Sequence, residues 1–192
     1  GGGWVVSEES FFDVPVIDFL KIRGSWGQLG NDGVAYAIGS PTVDPITTAI
    51  NEAQRNGFII NNAFDLVKKW ETVVETNIGF TTRLLKNSLS IDLDYYSRKT
   101  EDAVLTVVLP AQRQIVRRNG GEIKNSGLEA ALSYSGKITP DINFTVGANF
   151  TTLKNEVKSL NGQSYLDAGQ AEFLQRSIVG NSINAFYGFE VE

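Results

Sequence analysis

The chain has 192 residues and contains no Cys, no His and no Met, which excludes a disulfide framework, a thiolate nucleophile, a cysteine zinc site, the Ser-His-Asp triad and imidazole metal ligands. Its 17 Lys+Arg against 22 Asp+Glu leave a formal net charge of -5, the wrong sign for coating a phosphate backbone, so nucleic acid is not expected as a partner. At 42% hydrophobic and 20% charged the composition is that of a folded chain, and no window reaches the roughly 18 consecutive apolar residues of a membrane-spanning helix. A transmembrane β-strand needs apolar residues only at every second position, so a barrel in the membrane stays open. With neither an initiator Met nor a signal-peptide pattern behind Gly1-Gly2-Gly3, the chain is expected to be an internal piece of a longer protein.

Taken in order, the predicted elements repeat with period two. In residues 19–28 Leu20, Ile22 and Trp26 alternate with Lys21, Arg23 and Ser25. A first long connection follows, within which Asp44 can cap a helix, Pro45 suits its first position, Ile46, Ala49, Ile50 and Ala53 share a face and Gly57 can close it. Residues 72–84 then place Val74, Ile78, Phe80 and Leu84 on one face and Glu75, Asn77, Gly79, Thr81 and Arg83 on the other. In residues 88–98 the phase reverses, with Leu89, Ile91, Leu93 and Tyr95 opposing Ser90, Asp92, Asp94 and Arg98. The stretch 103–109, apolar on both faces apart from Thr106 and stopped by Pro110, is placed in a connection or at a strand end.

Residues 124–135 set Leu128, Ala130, Leu132 and Tyr134 against Asn125, Gly127, Glu129 and Ser133, and the next run sets Ile142, Phe144, Val146, Ala148 and Phe150 against Asn143, Thr145, Gly147, Asn149 and Thr151. A second short helix is expected over residues 166–175. A sixth, weaker run carries Ile183, Ala185, Tyr187, Phe189 and Val191. The residues predict an all-β antiparallel meander of about six long strands, with short helices in its long loops.

Connections alternate in length. Runs two and three, and runs four and five, are joined by tight turns, whereas the other gaps are roughly 25 to 40 residues, well above ordinary loop length. Tight turns at one end and long loops at the other are the arrangement of outer-membrane barrels, with the long loops extracellular. Strands of about 12 residues rise roughly 30 Å along a membrane normal at a tilt near 40°. If Leu84 faces Leu89, Phe80 faces Leu93, Ile78 faces Tyr95 and Glu75 falls opposite Arg98, so one register satisfies both faces.

The stretch Leu20-Lys21-Ile22-Arg23-Gly24-Ser25-Trp26-Gly27-Gln28-Leu29-Gly30-Asn31 resembles the strand motif of SusC/RagA-type TonB-dependent outer-membrane transporters. Trp70-Glu71 with Thr76-Asn77-Ile78-Gly79, Asp94-Tyr95-Tyr96 with Lys99-Thr100, the segment from Asn119-Gly120-Gly121 to Gly127-Leu128-Glu129, and Phe186-Tyr187-Gly188-Phe189 are similar to further segments of that family in the same order. The resemblance implies a transmembrane barrel of about 22 strands with an N-terminal plug, located in the bacterial outer membrane, driven by TonB and capped by a SusD-like surface lipoprotein. It implies import of oligosaccharides or peptides and contact with outer-membrane lipid. Residues 1–192 are then a partial barrel domain, without the plug, the N-terminal extension, the TonB-contacting segment and the terminal strands, and the piece is not an enzyme.

On this reading Lys21, Arg23, Glu75, Arg83, Asp92, Asp94, Arg98 and Glu129 point into the lumen, where a hydrated wall with cross-strand ion pairs such as Glu75 with Arg98 is favoured over a dedicated substrate role. Asp92 and Asp94 share a face, but an i, i+2 carboxylate pair on a strand is common and no buried neighbour marks a glycosidase pair. No catalytic residue, cofactor or metal site is expected; Asn31-Asp32-Gly33 lacks the spaced acidic pattern of a calcium loop and reads as a turn. Trp4, Trp26, Trp70, Tyr95, Tyr96, Tyr134 and Tyr187 suit an aromatic girdle or packing better than sugar platforms. Loop residues Tyr36, Phe58 and Phe64 are the candidates for ligand contact. The alternative is a soluble β-sandwich carbohydrate-binding module, in which the apolar faces would meet in one core.

Overall fold

A computed structural model describes residues 1–33, 43–60, 69–109, 114–168 and 174–188. The period-two runs become strands. In chain order these are β1 (Gly2–Val5), β2 (Ile17–Asn31), β3 (Val43–Ile50), β4 (Ala53–Ile60), β5 (Glu71–Leu84), β6 (Leu89–Leu109), β7 (Gln114–Thr139), β8 (Ile142–Thr151), β9 (Lys154–Leu160), β10 (Tyr165–Ala168), β11 (Gln175–Ile178) and β12 (Ala185–Phe186). A sheet in the order β1-β2-β5-β6-β7-β8 carries the long strands, with β9 paired to β7; β3-β4 and β10-β11-β12 form two small sheets. Each pairing whose register is defined among the described residues is antiparallel.

Strand lengths separate this sheet from a soluble sandwich. β2, β5 and β8 have 15, 14 and 10 residues, and β6 and β7 have 21 and 26, against about five or six in ordinary globular strands. About 9 to 11 tilted residues suffice to cross a bilayer core. Of the two placements expected for the stretch 103–109, it takes the strand end, as the last part of β6, and not the connection. It supplies Ala103, Leu105 and Val107, which are buried, because the pairing of β6 continues past Asp102, whose φ of 54° locally interrupts the extended strand.

Both expected helices are absent among the described residues. Residues 43–60 form a hairpin, with Ile46 opposite Gly57 and Ile50 opposite Ala53. Ile46 and Ile50 are four apart, a spacing that fits a strand face as well as a helix face. The β-branched residues Val43, Ile46, Thr47, Thr48 and Ile50 favour the strand. Asn51 and Glu52, with φ of 53° and 62°, make the two-residue turn that matches strand twist. Over residues 166–175 the described parts are strands: Tyr165–Ala168 pairs with Gln175–Ile178, and the register sets Asp167 opposite Arg176, whose Nε donates to Asp167 Oδ1 at 2.6 Å. The sixth run supplies only the two-residue β12 among the described residues, paired to β11.

The chain divides into two compact units. The first comprises Gly1–Leu29, Val73–Lys99 and Ile123–Glu156 and holds the alternating faces of the sheet. In it Tyr134 pairs with Val146, Leu132 with Ala148 and Ala130 with Phe150, so one side of β7 and β8 is a continuous apolar surface. That surface is uncovered, with Val146 63% and Phe150 64% exposed, and so is Ile78 of β5 at 57%. The second unit comprises Gly30–Thr72, Thr100–Glu122 and Val157–Glu192. Its core is Leu105 and Val107 from β6, Val116 from β7, Val157 and Leu160 from β9, with Leu166 packed against them. Gly121 lies over this core, where a Cβ would meet Leu105 Cδ2 at 2.7 Å.

Candidate functional site

The polar face of the first unit is where the charged residues collect. β5 lies between β2 and β6 in the sheet, yet Arg23 on β2 reaches Asp94 on β6: its Nε donates to Asp94 Oδ1 at 3.1 Å and its Nη2 forms a close ion pair with Asp94 Oδ2. Its Nη1 donates to Thr81 Oγ1 and lies 3.6 Å from Asp92 Oδ1, and Thr81 Oγ1 donates to Asp92 Oδ1 at 2.5 Å. The forked guanidinium thus holds two carboxylates and a hydroxyl. Gly79 makes the crossing possible: a Cβ there would lie 2.5 Å from the Leu93 carbonyl oxygen and closer still to Asp94 Oδ1.

A second pair lies further along the same strands. Arg98 donates through Nε to Glu75 Oε2 at 2.9 Å, and its Nη2 lies 2.8 Å from the same oxygen. Glu75 opposite Arg98 is the pairing predicted from the alternation, and Thr81 against Asp92 follows the same offset between β5 and β6. These two side chains border a groove of about 450 Å³ whose wall continues through Asn77, Tyr96, Asn125 and Glu129. The Tyr96 hydroxyl donates to the Thr152 carbonyl at 3.4 Å, and Asn155 Nδ2 donates to Asn125 Oδ1 at 2.6 Å. At Gly127 a Cβ would overlap the Thr152 carbonyl oxygen, so the close passage of chain beside β7 depends on glycine at that position.

Of the eight residues expected on the polar face, Arg23, Asp92 and Asp94 converge in one cluster, Glu75 and Arg98 in another, and Glu129 borders the groove. Arg83 is held elsewhere, its guanidinium 5.2 Å from the centre of the Phe19 ring. Lys21 is exposed, opposite Val5 of β1. Phe58 is 78% exposed on β4, opposite Pro45, and Tyr36 and Phe64 lie outside the described residues. Thr81, Gly79, Asn77 and Asn125 were not singled out from the sequence as functional residues, and Tyr96 only among the aromatics read as girdle or packing, although the strand register that joins Glu75 to Arg98 also brings Thr81 to Asp92.

The other face of the same strands is apolar, with Ile22, Ile78, Phe80, Leu93, Tyr95 and Leu128 grouped together. Trp26, Tyr95 and Tyr134 are exposed. No helix among the described residues is long and apolar enough to cross a membrane; the strands are the elements that can. Among the described residues no three His, Cys, Asp or Glu side chains gather as a metal site. An antiparallel sheet with an uncovered apolar face and an ion-paired polar face, on strands this long, is the wall of a transmembrane β-barrel.

Residues 11–185 match the family described as TonB dependent receptor-like, beta-barrel, and the chain belongs to that family. Its members are transport receptors rather than enzymes, and their barrels sit in the bacterial outer membrane. The chain is 29% identical to TonB-dependent receptor P3 of Formosa agariphila over 97% of its own length and 20% of that protein. It is 28% identical to TonB-dependent receptor SusC of Bacteroides thetaiotaomicron over 98% of its length and 20% of that protein. It thus spans about a fifth of the length of these relatives. In fold it is similar to a chain of the RagAB peptide importer in its open-open state, with a TM-score of 0.73 and 22% identity over 93% of this chain and 19% of that one.

Proposed function

We propose that this chain forms part of the barrel wall of a TonB-driven importer that takes up oligosaccharides, or peptides, together with a SusD-like surface lipoprotein. The carrying observation is the two-faced sheet, whose apolar side is exposed at Ile78, Val146 and Phe150 while its polar side carries the ion pairs of Arg23 with Asp92 and Asp94 and of Arg98 with Glu75. In this reading the apolar side meets outer-membrane lipid and the polar side faces the lumen, with the tight turn at residues 85–88 toward the periplasm and the long loops outward. Lys21, Arg23, Glu75, Arg83, Asp92, Asp94, Arg98 and Glu129 then line the lumen, and Phe58 on its exposed hairpin is a loop contact for ligand.

A sheet that faces water on one side and lipid on the other keeps its charges on the hydrated side, where the two arginine clusters tie Arg23, Asp92, Asp94, Arg98 and Glu75 together. The similarity to SusC and to a structure named a peptide importer supports import as the activity of the whole receptor. A soluble carbohydrate-binding sandwich would require a second layer over Ile78, Leu132 and Val146; these residues are exposed. The test is uptake by cells with and without the receptor, using fluorescent oligosaccharides and fluorescent peptides of matched size. Loss of one uptake on deletion, restored by the receptor gene and dependent on TonB, is the expected result. Unchanged uptake of both, with the protein recovered in the soluble fraction, would contradict it.

A further inference from the structure

The asparagine-glycine segment near the start of β7, Asn119-Gly120-Gly121, ties together several parts of the second unit. Asn119 Oδ1 accepts the Lys69 backbone N–H at 3.1 Å, while its Nδ2 donates to the Lys69 carbonyl at 2.9 Å and to the Asp102 carbonyl at 2.9 Å. One side chain therefore closes on both backbone groups of Lys69 and on β6. The Lys69 ammonium adds an ion pair to Asp102 at 3.4 Å. Lys69 is the root of the long connection that carries the β3–β4 hairpin, and the two roots of that connection are themselves tied. Asn31 Nδ2 donates to Glu71 Oε2 at 2.9 Å, and Glu71 Oε1 accepts the Val104 N–H at 2.9 Å.

The backbone of the same segment holds a different loop. The Asn119 carbonyl accepts Asn161 Nδ2 at 2.8 Å, and Arg118 Nη2 donates to the Asn161 carbonyl at 2.9 Å. Asn161 sits in the turn that follows β9, with φ of 53°. Gly120, with φ of +126°, leaves the space: a Cβ there would meet Asn161 Nδ2 at 2.6 Å and Cγ at 2.7 Å. Only glycine adopts that φ readily and admits the second asparagine.

We propose that Asn119 is a positioning residue that couples two loops, the root of the 32–70 connection at Lys69 and the turn at Asn161, so that loosening one loosens the other. The coupling goes beyond the proposed import function and does not depend on which substrate is carried. Its carrier is contiguous: the Asn119 side chain grips Lys69, and the Asn119 carbonyl is fixed by Asn161. Lys69 and Asn161 share no hydrogen bond of their own among those described here.

The test is hydrogen–deuterium exchange of the detergent-extracted receptor, read at the Lys69 amide. Asn119→Ala removes the acceptor of that amide and is expected to speed its exchange by roughly five- to tenfold, as for one lost hydrogen bond. Asn161→Gly keeps the left-handed backbone accessible and removes only the bond to the Asn119 carbonyl. It is expected to speed exchange at Lys69 by roughly two- to fivefold, and the double variant to fall short of the product of the two effects. Unchanged exchange at Lys69 in Asn161→Gly, or a double variant that equals the product, would overturn the coupling. Unchanged exchange at Lys69 in Asn119→Ala would overturn the grip itself. If Asn119→Ala does not assemble, Asn161→Gly alone decides, since it leaves every bond to Lys69 in place.

Discussion

At the scale of single residues, the Arg23 cluster explains why charges can line the sheet. Asp94 keeps 19% of its side chain exposed and Asp92 41%, and Arg23 lies nearer to Asp94. Asp94→Asn should therefore destabilise the receptor more than Asp92→Asn. Arg23→Gln, which leaves both carboxylates without a cation, should cost the most, about 1–2 kcal/mol after allowing for solvent screening. Urea unfolding in lipid vesicles would show this order. Gly79→Val should act through the same bridge, because the added side chain occupies the space in which Asp94 meets Arg23. Its effect combined with Arg23→Gln should then be clearly less than additive. Alternation and a one-turn register are enough to infer Glu75 against Arg98 from sequence. The Arg23 bridge is not, because it spans the intervening strand β5 and depends on a missing side chain at Gly79, and neither leaves a periodic mark.

At the scale of elements, the long runs were legible because each has one apolar and one polar side and therefore alternates; β2, β5, β7 and β8 cover the runs read from residues 19–28, 72–84, 124–135 and 142–151. The short elements were not. A spacing of four, as between Ile46 and Ile50, is common to both periods, and the capping pattern at Asp44-Pro45 outweighed the β-branched residues around it. The turn at Asn51-Glu52 places Glu52 at φ 62°, a conformation that costs a non-glycine residue about 1 kcal/mol. Glu52→Gly should thus strengthen the hairpin by up to about 1 kcal/mol, seen as slower amide exchange across residues 43–60. A helix over those residues would instead be weakened by the same change. The tight turn between β5 and β6 hid its geometry in the same way, since Leu85, Lys86 and Asn87 all take positive φ without a glycine to announce it.

At the scale of the whole molecule, the medium that covers the apolar face decides the stability of the sheet. A sheet that leaves Ile78, Leu132, Val146 and Phe150 open is unstable in water unless lipid, detergent or another copy covers it, and family membership places this one in the outer membrane. Residues 1–192 carry no cysteine, so single cysteines can be placed along β5 and spin-labelled in receptor reconstituted into vesicles, with any cysteine elsewhere in the receptor first replaced by serine. Accessibility is then read with oxygen, which concentrates in lipid, and with a water-soluble nickel complex. Oxygen access is expected at Val74, Ile78 and Phe80, and nickel access at Glu75, Asn77 and Thr81, alternating residue by residue. Loss of that alternation, or nickel access at Ile78 and Phe80, would contradict a lipid-facing apolar side.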